Sequence, residues 1–176
     1  MKRLWIVLAV ALMLVATPVL AAATKIGYVD LQRALVESDA GKAAQTRMGQ
    51  RVAEVQTTAQ DRQQRLRVMQ EELEQKTLML SAEAKTKKEQ DFEQQRREFQ
   101  RFVQDAQEQL QREEARLGQG IIEGMGEVIR TLGAREGYTV ILELSGSALL
   151  YANEAIDLTD KVIAEYNKVY KAGGGK

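Results

Sequence analysis

Apolar side chains recur in this chain with the period of a coiled-coil seam, hold it for five repeats and then stop. Val52, Ala59, Leu66, Leu73 and Leu80 are spaced by seven, and Met48, Val55, Arg62, Met69 and Lys76 interleave with them at the alternating 4-3 spacing of a heptad. Carried onward, the same phase meets Glu83, Lys87, Gln90, Gln94, Arg97, Arg101, Gln104 and Glu108, all polar. A second phase begins with Phe92, Phe99, Phe102 and Ala106. A single helix has no reason to exchange its buried face so abruptly, whereas a helix that turns back on itself does. The pattern predicts two long arms joined by a tip near residues 81–86.

The flanking pattern is different. Residues 25–30 read Lys-Ile-Gly-Tyr-Val-Asp, a short strand carried by Ile26, Tyr28 and Val29. Ser38 and Asp39 are suited to cap the first arm helix, which is expected from about residue 41. From Gly49 to Gly118 there is no glycine, and the segment is rich in strong helix formers. The returning arm is expected from residue 84, with a seam that drifts between Phe92, Phe99, Ala106 and Val103, Leu110, Leu117, and with Gly137 at its C-terminal end. Residues 138–144 form the strongest strand signal in the chain, and residues 148–152 read as a partner strand beyond a Ser-Gly-Ser turn. Asp157 is placed to cap a last amphipathic helix whose apolar face carries Leu158, Val162, Ile163, Tyr166 and Val169. Two-stranded ribbons are marginal alone, so pairing of residues 26–30 with 138–144 requires the segment between them to leave and return, as a hairpin does.

These elements divide the chain into residues 1–23, a β-rich head from residues 24–40 and 121–172, an arm over 41–120, and a tail expected to be disordered at 173–176. The first segment has a basic start at Lys2 and Arg3, an apolar run over residues 4–15 and small residues at Ala21, Ala22 and Ala23. It reads as a cleaved signal peptide and places the mature chain outside the cytoplasm; no later apolar run reaches membrane length, which predicts a soluble mature chain.

Composition narrows the chemistry. The chain has no cysteine and no histidine, which removes disulfides, thiol nucleophiles and imidazole bases and leaves little for zinc. No cofactor, metal site or catalytic residue is expected, and an enzyme is disfavoured. The 25 basic and 25 acidic residues balance, giving no general attraction to nucleic acid. The one proline, Pro18, precedes the predicted mature chain, as long unbroken helices require. The run Gly118-Gln-Gly120-Ile-Ile-Glu-Gly124-Met-Gly126 lacks the preceding strand and following Lys-Ser/Thr of a phosphate loop and reads as close helix packing or a hinge. The doublets Glu71-Glu72 and Glu113-Glu114 point apart on a helix and make no acid–base pair.

In this order the pieces resemble the Skp/OmpH family of periplasmic chaperones for outer-membrane proteins. The resemblance is carried by Lys25-Ile-Gly-Tyr-Val-Asp30 with Leu31-Gln-Arg-Ala-Leu35, the Gln/Lys/Glu-rich hairpin, Glu136-Gly-Tyr-Thr-Val-Ile-Leu142 and Ala155-Ile-Asp-Leu-Thr-Asp160. It implies a mostly helical α+β fold, a homotrimer joined through β-rich heads, and arms hanging around a cavity that holds unfolded outer-membrane proteins without ATP. On that basis Ile26, Tyr28, Val29, Val140 and Leu142 are the expected trimerisation residues. Leu78, Met79 and Leu80 near the tip, with Phe92, Phe99 and Phe102, are the expected client contacts; the plainer reading is that they pack the hairpin. Lys85, Lys87 and Lys88 make a basic tip, suited to weak contact with an anionic membrane surface or to simple solvation. The family's best-known members have strongly basic arms, whereas residues 41–120 here hold 15 basic and 14 acidic side chains, which argues against strong electrostatic capture. A coiled-coil spacer or envelope tether is the competing class.

Overall fold

A computed structural model describes residues 24–76, 80–144, 146 and 149–173. The elements run β1 (Ile26–Val29), α1 (Leu31–Glu37), α2 (Asp39–Lys76), α3 (Ala82–Glu136), β2 (Val140–Glu143), a 3₁₀ turn (Glu154–Ile156) and α4 (Thr159–Ala172). The predicted signal peptide lies outside the described residues, as does the tail beyond Gly173.

Local chemistry sets each boundary. The Asp30 carboxylate accepts from the Arg33 amide at 2.9 Å and starts α1. Ser38 ends that helix and begins the next: its hydroxyl accepts from the Gly41 amide at 3.1 Å and donates to the Leu35 carbonyl at 3.3 Å. After Lys76 the chain reverses, and Ser81 caps α3 by accepting from the Ala84 amide. Gly137 closes α3 in the left-handed conformation (φ 71°), its N–H donating to the Gly133 carbonyl. Asp157 accepts from the Thr159 amide at 2.7 Å, so it organises the start of α4 from two residues upstream.

β1 and β2 pair in parallel, Ile26 opposite Val140 and Val29 opposite Glu143. One face of this pair looks inward: Val29 is 1% exposed and joins Ala34, Ala40, Ile121, Met125, Val128, Leu132, Leu158, Val162 and Tyr166 in the core. The core is therefore built where the base of α3 meets β1, α1, the start of α2 and α4. Polar ties fasten the same elements. The Asp30 amide donates to the Thr159 hydroxyl at 3.0 Å, and the Asp39 amide donates to the Asn167 side chain at 2.9 Å. Lys171 lies 3.0 Å from the Asp39 carboxylate.

Beyond the core, α2 and α3 continue as an antiparallel pair; α2 alone, at 38 residues, spans ~57 Å. The partly buried positions of α2 include Met48, Val55, Ala59, Arg62, Leu66, Met69 and Leu73, which follow the expected heptad with Val52 left exposed; Asp39, Ala44 and Glu72 are partly buried as well. On α3 the inward positions Phe99, Leu110, Ile121 and Leu132 are eleven apart, as are Ala106, Leu117 and Val128. An 11-residue period gives 3.67 residues per turn, close to the natural α-helix. The apparent drift between heptads is this longer repeat, and Val103, at 43% exposure, falls outside it. The expected strand at 148–152 is not formed: residues 149–152 belong to no helix or strand, while Ala148 lies outside the described residues.

Candidate functional site

Along the arm, the seam is too narrow to hide its own side chains. Among the described residues between Gly41 and Ile121, Ala106 alone is buried, at 7% exposure. Phe92, Phe99 and Phe102 are each partly buried on α3, and Leu80 is partly buried at the bend before α3. Leu78 and Met79 lie outside the described residues.

Ion pairs stitch the arms across the seam. Arg47 meets Glu113 at 3.0 Å near the root, and Lys88 meets Glu72 at 2.6 Å near the reversal. One member of each acidic doublet is thus spent on the opposite helix. Lys85 lies 3.8 Å from Glu89 on its own helix. The basic tip is accordingly weaker than the residue types suggest: Lys85 and Lys88 have carboxylate partners, and Lys87 is the exposed one. Exposed pairs of this kind contribute little stability, yet they cancel the local charge.

Midway along the arm, the Arg62 guanidinium lies over the Phe102 ring, 4.5 Å from its centroid. This explains how a cation occupies a core-type heptad position: the ring face offers it an attractive partner. An open cleft of about 670 Å³ lies beside the pair, with Val55, Phe102 and Ala106 along its apolar part. Arg51, Glu54, Arg101 and Asp105 stand around them.

The glycine run lies wholly inside α3, so no phosphate-binding loop exists there. At Gly124 a Cβ would come within 2.8 Å of the Tyr166 ring, which makes this position a packing requirement; Gly118, Gly120 and Gly126 face open space.

The head presents a second surface. Ile26 and Val140, cross-strand neighbours on the outward face, are 42% and 41% exposed. Tyr28 and Leu142 pair on the same face, with Leu142 partly buried and Tyr28 covered beside Asp157. Burial and the neighbouring Asp157 and Glu154 carboxylates push the Tyr28 phenol above its ordinary pKa. Val29, grouped with these residues in the sequence, is consumed by the core of its own chain because alternation turns it inward. Sequence reasoning also missed the most accessible large apolar pair among the described residues of the head: Leu150 is 98% and Tyr151 83% exposed. The signal is the apolar run over residues 148–151; among the described residues Leu150 and Tyr151 join neither strand of the sheet.

No described helix is long and apolar enough to cross a membrane. Among solved structures, the fold is similar to that of a candidate outer-membrane chaperone (OmpH-like) from Caulobacter crescentus CB15. The TM-score is 0.77 at 20% identity, covering 84% of this chain and 86% of that one. No curated protein matches the chain significantly. The model of the family described as outer membrane protein (OmpH-like) matches residues 25–166, the span that holds both strands, both arms and most of α4, and the chain belongs to that OmpH-like family.

Proposed function

We propose that this protein is an ATP-independent holdase of the periplasm, a homotrimer that keeps unfolded outer-membrane proteins from aggregating by holding them between its helical arms. The observation that supports this most directly is the arm itself. A structure of this length holds almost no buried side chains of its own, and Leu80, Phe92, Phe99 and Phe102 keep accessible apolar surface along it. Such surface, spread thinly and flanked by charges of both signs, suits many weak contacts with varied unfolded chains better than one tight contact with a folded partner. The mature arms are nearly neutral, so apolar contact rather than charge carries the holding, and any approach to an anionic membrane surface rests on Lys87. The outward faces of Ile26, Tyr28, Val140 and Leu142 are the proposed contacts between heads. OmpH-like membership and the N-terminal sequence of Lys2, Arg3 and the apolar run after them support the compartment.

Light scattering of an outer-membrane protein diluted from urea decides between this reading and a client-free spacer. At one trimer per client the protein should suppress most of the scattering without nucleotide. Unchanged scattering at that ratio would return the chain to the spacer class.

A further inference from the structure

Arg62 holds a position in the seam that the heptad assigns to an apolar side chain, and stacking on Phe102 uses only one of its faces. Among the described residues it makes no ion pair and no side-chain hydrogen bond. Two carboxylates that stand near it are engaged on their own helices. Glu54 accepts from Arg51 at 2.9 Å, and Glu98 accepts from Gln94 at 2.9 Å and from Gln95 at 3.2 Å. A flat cation is thereby left with donors uncommitted, at the edge of a cleft of about 670 Å³ with Val55, Phe102 and Ala106 along its apolar part. That volume is ample for one or two side chains of a bound polypeptide.

We infer that this cleft is a subsite for aromatic side chains of an extended, unfolded polypeptide. A ring entering the cleft packs on the apolar wall and against the guanidinium, which attracts π faces. Arg62 has five N–H donors, and an unfolded chain offers main-chain carbonyls that have no internal partner. An aliphatic side chain of the same bulk gains the wall and nothing from the cation, so the subsite prefers aromatic over aliphatic residues. Charges of both signs around the cleft, Arg51 and Arg101 with Glu54 and Asp105, give no comparable preference for acidic or basic segments. This inference rests on the client-holding reading above and names the side chains that reading leaves open.

The test uses the full chain and two soluble, fluorescently labelled unstructured peptides that differ only in carrying phenylalanine or cyclohexylalanine. The second keeps the apolar bulk and lacks the π face. Anisotropy titration should show about fivefold tighter binding of the phenylalanine peptide. Arg62→Met should bring the two affinities together while leaving the melting temperature unchanged or raised, because it restores an apolar seam. A side chain that only packs the hairpin would leave the ratio of affinities untouched by that substitution. Equal binding of the two peptides by the wild-type protein, or a preference that survives in Arg62→Met, overturns the subsite and leaves the holdase reading standing. Binding of neither peptide overturns both.

Discussion

A Cβ at position 41 would lie 1.7 Å from the Leu35 carbonyl oxygen, a backbone atom that cannot swing aside, while one at position 118 would meet nothing within 4 Å. These two glycines therefore carry opposite signs in stability. Gly41 lets α2 start directly against the end of α1, with Ser38 shared between them; Gly118 only weakens α3, by up to ~1 kcal/mol relative to alanine. Gly41→Ala should destabilise the protein by about 2 kcal/mol or more through overpacking. Gly118→Ala should stabilise it by about 0.5–1 kcal/mol. Urea unfolding of the two variants beside the parent checks both signs. Arg62 makes a related point about residue type: its charge looks out of place in the seam until Phe102 is found under it.

The docking of α4 against the end of α3 depends on ionised carboxylates. Glu136 accepts from Lys161 at 2.6 Å and has Lys25 at 3.9 Å; Glu165 accepts from Lys168 at 3.0 Å and has Arg135 at 3.7 Å. The lysine hydrogen bond first, then the surrounding cations, hold both carboxyls below the ordinary value of 4.5. A depressed carboxylate contributes its stability in full above that ordinary value and loses it as pH falls through the lowered one. Melting temperature should therefore fall on acidification below about pH 4.5, and Glu136→Gln should flatten that fall while lowering stability near neutrality. Thermal melts from about pH 6 to about pH 3 follow it.

The elements themselves were legible in the sequence to different depths, for physical reasons. The 4-3 pattern of α2 was plain because one partner covers one stripe. The 11-residue pattern of α3 is harder to see, because at 3.67 residues per turn it drifts through successive heptad positions. The tip is more basic in the sequence than in the fold, since Glu72, sixteen residues from Lys88 along the chain, meets it only when the arms pair. Residues 148–152 have the local character of a strand, and local character does not supply a neighbour. The partial burial of Leu80, Phe92, Phe99 and Phe102 was within reach of pattern reading, whereas the cleft beside Arg62 was not, because it exists only between two helices.

At the scale of the whole molecule, the packed core lies at one end, and the arms and the outward side of the head both keep apolar surface. In the head that surface includes Ile26 and Val140 on the two-stranded sheet of the described residues, with Leu150 and Tyr151 exposed beyond β2. The proposed trimer would cover them. Val140→Asp combined with Leu150→Asp should convert the assembly to monomers in sedimentation velocity, whereas Val52→Asp, on the exposed flank of the arm, should leave it intact. Trimers persisting in the double variant would place the interface elsewhere. The parallel pairing of β1 with β2 also has a consequence in time. Lys25 and Thr139, bonded at the start of the sheet, are 114 positions apart. Closing so long a loop in an unstructured chain is slow relative to helix formation. The antiparallel pairing of α2 with α3 grows outward from a reversal of a few residues and shortens that loop with each contact it adds. A hairpin that pairs from its reversal outward should therefore close like a zipper and draw the two strands together, so substitutions in the α2–α3 seam should slow refolding more than substitutions in β1 or β2.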